Sequence, residues 1–212
     1  MHVLITAGPT REYLDDVRFL TNASSGRMGY ALAECALRRG WRVSLVTGPV
    51  TIPPPPGAGL HRVTGALEML DTCLDLFSNV DGVIAVAAVA DFRPATRASG
   101  KLHRSGGGPL MIEFVPNPDI LAELGRRKSR QWTVGFAVET SDAVERARGK
   151  LALKNCDAVV VNDPQAMESP HTAIRLIDRA GNVSFEFQGP KQEAAERILE
   201  WIANHLAKQP PD

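Results

Sequence analysis

The residues best suited to chemistry stand in short clusters just after apolar runs. Asn22-Ala23-Ser24-Ser25-Gly26-Arg27-Met28-Gly29 places hydroxyls and glycines directly ahead of a helical pattern. Exposed amides, hydroxyl donors and the positive end of a helix all favour phosphate at such a place. Gly26 and Gly29 keep the helix start slim enough for close approach. Capping alone needs one serine and explains neither glycine, so we read Ser24, Ser25 and Gly26 as an anion cradle. Asn22 adds an amide able to donate to a carbonyl or phosphoryl oxygen.

Other clusters are more ambiguous taken singly. Ala85, Val86 and Ala87 end an apolar run in small residues, which leaves room for a ligand; Asp91 and Arg93 follow as part of a site or as a surface ion pair. Thr6-Ala7-Gly8-Pro9-Thr10-Arg11 and Gly135-Phe136-Ala137-Val138-Glu139-Thr140 read equally as ligand loops and as plain exits from strands. Asn117 and Pro118 suit the N-cap and first turn of a helix that continues through Asp119, Ile120 and Leu121. Lys101 alone is a solvated charge. Lys150 and Lys154 share one helical face, where an anion between them or plain solvation accounts for both.

The elements that must position these residues alternate in type. His2–Thr6, Arg42–Val46 and Gly82–Ala87 are branched, apolar strand runs, and Gly29–Arg39 and Ala66–Ser78 carry helical spacing between them. The pattern resumes with helix Pro118–Arg126, strand Thr133–Val138, helix Ser141–Lys154 and strand Ala158–Val161. A hairpin of Ala173–Asp178 with Val183–Phe187 follows, and helix Lys191–Lys208 comes last. This order predicts an α/β fold: a Rossmann-like, doubly wound, mainly parallel sheet with helices on both faces. Residues 97–115 are expected to form a flap, with Lys101–His103 and Leu110–Phe114 as strands joined by Ser105-Gly106-Gly107-Gly108. We expect one domain over residues 1–208 and a frayed tail over 209–212.

Composition narrows the function classes. Of 212 residues, 24 are Lys or Arg and 24 are Asp or Glu, so no global field draws nucleic acid or an anionic membrane, and an anion site must be local. The 3 cysteines, Cys35, Cys73 and Cys156, fit no metal spacing and are expected as buried free thiols. The N-terminus lacks the pattern of a signal peptide, and no run nears the ~20 apolar residues of a membrane span. A cytoplasmic enzyme is expected. An NAD(P)-dependent reductase would show a G-x-G-x-x-G turn and an acid after the second strand, yet that strand ends in Val46-Thr47-Gly48.

In this order the segments ITAGPTRE, VRFLTNASSGRMGYALAE, VTGPV, AVADFRP, Lys101, NPDIL, VGFAVET and ARGKLALKNCDAVVVND resemble the phosphopantothenoylcysteine synthetase (phosphopantothenate–cysteine ligase) family of coenzyme A biosynthesis. The resemblance implies ligation of 4'-phosphopantothenate and L-cysteine through an acyl-cytidylate, with CTP as co-substrate, Mg2+ beside the triphosphate and a homodimeric assembly. It implies that Asn22 contacts the activated acyl group and that Ser24, Ser25 and Gly26 bind phosphate. Ala85, Val86 and Ala87 would line the cytidine pocket and Asp91 would touch the nucleotide. Lys101 would close over the triphosphate, Pro118, Asp119, Ile120, Leu121 and Phe136 would complete the base and ribose pocket, and Lys150 and Lys154 would hold the triphosphate. Here the flap reads Lys101-Leu102-His103-Arg104 where the family usually has Lys-apolar-Lys-Lys, and Pro164–Thr172 lacks the family's usual Gly-Phe turn. Many relatives carry an N-terminal flavin-dependent decarboxylase, whereas this chain begins at the synthetase strand, so FMN is not expected. A non-catalytic nucleotide-binding module is the alternative from another class; it would not need Asn22 and Lys101 together.

Overall fold

A computed structural model describes residues 1–103, 108–138, 143–162 and 169–207. In chain order the elements are β1 (His2–Ala7), β2 (Arg11–Tyr13), β3 (Phe19–Thr21), α1 (Arg27–Arg38), β4 (Arg42–Thr47), β5 (Gly59–Arg62), α2 (Ala66–Phe77) and β6 (Gly82–Ala85). They continue with β7 (Phe92–Pro94), β8 (Phe114–Pro116), α3 (Ile120–Arg127), β9 (Trp132–Val138), α4 (Ala143–Leu153), β10 (Ala158–Asn162), β11 (His171–Asp178), β12 (Val183–Pro190) and α5 (Lys191–His205).

The main sheet has 8 strands in the order β12-β11-β10-β9-β6-β1-β4-β5. Neighbours from β5 to β10 are parallel, and β11 and β12 close the far edge antiparallel. The parallel strands alone follow the order 3-2-1-4-5-6 of a doubly wound sheet, in which the chain reverses its winding direction between β1 and β6. Ligands of such sheets bind at that crevice, beyond the carboxyl ends of the strands.

Alternation along β1 shows why both faces are covered. Val3, Ile5 and Ala7 pack with Leu32 and Ala36 of α1 and Ile198 and Ile202 of α5. Leu4 faces the other way, onto Met69 and Cys73 of α2 and Leu124 of α3. Ala147 and Leu151 of α4 extend that second layer over Val159 and Val161. Each fully buried aliphatic side chain stabilises the fold by ~1.5–3 kcal/mol, so the sheet is a stiff platform for the loops at its end. The thiols of Cys35, Cys73 and Cys156 are buried and unpaired, as expected. Desolvation is the first cause that lifts them to about 12, 12 and 11 respectively.

Several expected elements differ from those observed. β6 stops at Ala85 rather than Ala87, because the amides of Val86 and Ala87 both go to the Thr6 hydroxyl. α3 starts at Ile120, and its N-cap is Asp119, whose carboxylate accepts the Ala122 amide at 3.0 Å; Asn117 is not the cap. Lys101–His103 and Leu110–Phe114 are not paired strands. The small hairpin is β7 with β8, and Lys101 lies in the stretch between them. The backbone amide and carbonyl of Leu102 bond to Asp15 and Arg18 instead of a neighbouring strand. β5 and the β2–β3 hairpin, both short and polar, are additions to the expected elements. Glu139, Thr140, Ser141, Pro164, Arg104-Ser105-Gly106-Gly107 and the tail 209–212 lie outside the described residues.

Candidate active site

The start of α1 is pressed onto the end of β1. Gly26 is the N-cap, at φ 75°, with no side chain capping the helix. A Cβ at Gly26 would lie 2.8 Å from Val50 Cγ1 and 3.3 Å from Gly8 Cα, and one at Gly29 would lie 2.6 Å from Ala7 Cβ. The positive φ and the crowding both demand glycine. Ser24 does not cap the helix; its hydroxyl accepts the Gly26 amide at 3.4 Å. The start of α1 is therefore a glycine-opened helix end.

The loop after β6 is held from three directions. The Thr6 hydroxyl accepts from the amides of Val86 and Ala87, both at 3.1 Å, and Thr10 accepts from the Ala90 amide at 3.0 Å. Asn22 Nδ2 donates to the carbonyls of Ala88 and Val89, at 3.2 and 3.0 Å. Asn117 Nδ2 donates to the Ala90 carbonyl at 2.8 Å, and its own amide donates to the Asp91 carbonyl at 2.8 Å. Asn22 thus joins the α1 cradle to the β6 loop, and Asn117 joins the approach to α3 to the same loop. Arg93 donates to the Pro116 carbonyl at 2.6 Å and to Asn117 Oδ1 at 3.3 Å. Asp91 itself is exposed.

A cavity of about 100 Å³ opens at this crevice. Of the residues singled out from sequence, Ser24, Gly26, Val86, Ala87 and Phe136 line it. Ser25 and Ala85 are half-buried neighbours of lining residues. Others lie apart. Ile120 and Leu121 are buried among core side chains. Asp119 caps α3 and pairs with Lys154 at 2.9 Å, while Lys150 sits half-buried on α4. Pro118 is half-buried at the approach to α3 and does not line this cavity.

Sequence reasoning assigns no role to four polar lining residues: Arg27, Asn162, Thr172 and Lys191. Asn162 has a visible signal, as the polar residue ending the apolar run Ala158–Val161. Lys191, first in α5 and only 7% exposed, offers none beyond the preceding Gly189-Pro190. Burial, and after it the charge of Arg27, holds the Lys191 ammonium below the ordinary lysine range.

The flap carrying Lys101 is tied to the β2–β3 turn. Asp15 accepts the Leu102 amide at 3.0 Å, and Arg18 donates to the Leu102 carbonyl at 2.9 Å. Asp16 accepts from the Gly100 amide at 2.9 Å and from Arg97 at 2.8 Å. Lys101 is exposed between these anchors. Asp15 is buried, and its carboxyl is held down at about 2, first by the Leu102 amide, against desolvation, and with help from the amides of Arg18 and Val17 and the Arg18 charge.

The described residues contain no group of three or more His, Cys, Asp or Glu side chains able to cage a metal. Magnesium on a triphosphate needs no such cage: phosphate oxygens, waters and one or two carboxylates suffice. Asp91 is the exposed carboxylate of the β6 loop and suits that smaller part.

Comparisons with known proteins agree with this fold. The Coenzyme A biosynthesis bifunctional protein CoaBC of Bacillus subtilis (strain 168) is 49% identical over 166 residues, which cover 78% of this chain and 41% of that protein. The chain spans about half the length of the curated relatives it matches. The crystal structure of the C-terminal domain of a CoaBC protein is 38% identical, covers 98% of both chains and superposes with a TM-score of 0.83. A structure titled Cab2 mutant H337A in complex with phosphopantothenate-cysteine superposes with a TM-score of 0.74 at 19% identity, covering 96% of this chain and 88% of that one; it shows the shared fold. The mainly parallel sheet and the helices that cover it thus form one known architecture. Residues 1–206 match the model of the DNA/pantothenate metabolism flavoprotein C-terminal domain, and the chain belongs to that family.

Proposed function

We propose that this chain is a phosphopantothenate–cysteine ligase of coenzyme A biosynthesis that uses CTP. The observation that carries the reading is family membership over residues 1–206, joined to a phosphate-class cradle at the crevice where the sheet reverses its winding. The carboxylate oxygen of 4'-phosphopantothenate attacks the α-phosphorus of CTP, and pyrophosphate leaves with the electron pair of the broken P–O bond. The amine of cysteine then attacks the acyl carbon, CMP departs, and the amide remains. Magnesium, when bound, neutralises the triphosphate.

In this reading Asn22 is the catalytic amide. Its Nδ2 donates to the Ala88 and Val89 carbonyls beside the cavity wall, and giving up one of these two bonds frees an N–H for the acyl oxygen as negative charge develops. Ser24, Ser25 and Gly26 present hydroxyls and the helix end to phosphate. Ala85, Val86 and Ala87 offer a small-residue wall to the cytidine with Phe136 nearby, and Asp91 reaches the nucleotide. Lys101, from its anchored flap, covers the triphosphate. Pro118, Asp119, Ile120 and Leu121 support the base and ribose pocket from behind, and Lys150 and Lys154 add positive charge on that side. The finer assignments rest on the family pattern carried to these positions.

A homodimer is part of the proposal. Val17 and Leu20, at the β2–β3 hairpin, and Phe92 and Phe114, on the β7–β8 hairpin, are exposed large apolar residues, and such patches mark interaction surfaces. A cytoplasmic setting is supported by three unpaired buried thiols, and no helix among the described residues is long and apolar enough to cross a membrane.

The test is to supply 4'-phosphopantothenate and cysteine with CTP or ATP and measure the ligated product and pyrophosphate. Product with CTP is expected. No product with either nucleotide defeats the ligase reading, and equal rates with ATP defeat the cytidine assignment. Asn22→Asp should bind nucleotide and turn over poorly; full activity would remove Asn22 from the mechanism.

A further inference from the structure

Ala88, Val89, Ala90 and Asp91 present successive carbonyls, and two asparagines take all of them. Asn22 Nδ2 holds those of Ala88 and Val89, at 3.2 and 3.0 Å. Asn117 holds the next pair: its Nδ2 donates to the Ala90 carbonyl and its backbone amide to the Asp91 carbonyl, both at 2.8 Å. Ala90, 2% exposed, is fixed from its other side as well, because its amide goes to the hydroxyl of the fully buried Thr10.

The two asparagines hold the loop on different terms. Asn22 is exposed, so its bonds trade with water at little cost. Asn117 is half-buried, and its amide is oriented. Its Oδ1 accepts from Arg93 at 3.3 Å, and Arg93 is itself held on the Pro116 carbonyl at 2.6 Å. A guanidinium has only donors, so Oδ1 must face Arg93 and Nδ2 must face Ala90. Asn22 meets the opposite demand. Its amide reaches the acyl oxygen only by releasing a carbonyl of the loop, and the loop keeps its shape through that release only if another group holds it.

We propose that Asn117 is the positioning residue for this step. It holds the β6 loop by Ala90 and Asp91 while Asn22 turns one N–H to the acyl oxygen. The small-residue wall of Ala85, Val86 and Ala87 then stays in place beside the nucleotide. Asn117 touches no reacting atom, and no proton passes through it. The proposal rests on the ligase reading for the step at which Asn22 acts, but the hold on the loop is measurable without turnover.

Hydrogen exchange of residues 86–94, followed by mass spectrometry on the full chain, separates the two asparagines. Asn117→Ala should speed exchange there by about tenfold, whereas Asn22→Ala should change it by less than about threefold. Asn117→Asp has the same size and keeps Arg93 as a partner but cannot donate to Ala90. It should match Asn117→Ala, and it serves if the alanine variant fails to fold. In the ligation assay both Asn117 variants should lower kcat about tenfold and leave the KM for CTP nearly unchanged. Added to Asn22→Ala, they should cause no further loss, because the amide they serve is gone. An asparagine that only stabilised the fold would lower kcat by the same factor in either background. Unchanged exchange in folded Asn117→Asp, or losses of kcat that multiply in the double variants, overturns the proposal even if the unmodified chain makes product from CTP. Faster exchange in the Asn117 variants of a chain that makes no product upholds the hold on the loop and defeats the ligase reading together with the role of Asn22.

Discussion

The carboxylate of Asp15 accepts the backbone amide of Leu102 at 3.0 Å, across 87 positions of sequence, and so fixes the residue beside Lys101. The same side chain accepts the amides of Val17 and Arg18 at 2.7 and 2.6 Å. One buried acid therefore shapes the β2–β3 turn and anchors the flap to it. Asp15→Asn keeps the shape but loses the charge that makes these bonds strong. It is expected to raise the KM for nucleotide several-fold, with a smaller change in kcat, and to speed tryptic cleavage after Lys101. Wild-type cleavage rates in a folded variant would show that Asp15 does not hold the flap.

Acid should release the same anchor. The Asp15 carboxyl sits at about 2, below its ordinary 3.8, chiefly because the Leu102 amide bonds to the ionised form. A group depressed in the folded state stabilises it wherever the carboxyl is ionised in both states, that is, above its ordinary value. That contribution declines as pH falls from 3.8 toward 2 and is gone below the lower value. Thermal melts of wild type and Asp15→Asn should therefore differ at neutral pH and converge toward the acid end. A constant gap across that window would assign the effect to another group.

Thr6→Val tests the lacing of the crevice. Thr6 is 2% exposed, and its hydroxyl accepts from the amides of Val86 and Ala87. Valine fills the same volume but accepts nothing, which leaves two amides without that acceptor. A loss of about 1–3 kcal/mol is expected, together with weaker nucleotide binding, read by denaturant unfolding and calorimetry. Thr6→Ser should recover most of both. Equal stability of Val and Thr variants would mean that the loop rearranges without penalty.

Gly29→Ala tests how closely α1 must sit on β1. The added Cβ would stand 2.6 Å from Ala7 Cβ and 3.2 Å from the Thr6 carbonyl, neither of which is the end of a flexible chain. The helix must move away, at a cost of about 1–3 kcal/mol, and the cradle moves with it. Chemical denaturation should show the loss, and pyrophosphate affinity should fall in parallel. Gly149→Ala, which meets nothing within 4 Å inside α4, is the control: it should raise stability by about 0.5–1 kcal/mol and leave the affinity unchanged.

Strong periodicity makes most of the sheet and its helices legible, because a buried strand such as β1 or β10 must be apolar on both faces. The two glycines at the start of α1 are legible for a related reason: Gly26 and Gly29 stand where any side chain would collide. The flap is not, because its backbone is satisfied by Asp15, Asp16 and Arg18, side chains more than 80 positions away, rather than by a partner strand. Ile120 and Leu121 read as pocket residues, yet the helix start they occupy turns them into the core. Lys191 is invisible in the sequence because its place beside Arg27 depends on α5 packing against α1, a pairing that no local pattern encodes.

The position of β1 also bears on how the chain is made. Its two partners begin at Arg42 and Gly82, so its second edge stays vacant until the latter segment has emerged and closed a long loop. During that interval an apolar strand displays unmatched backbone groups, the arrangement most apt to pair with another chain. Nascent or truncated forms ending before Gly82 should therefore depend on chaperones far more than the full domain does, and folding should be slow for a protein of this size.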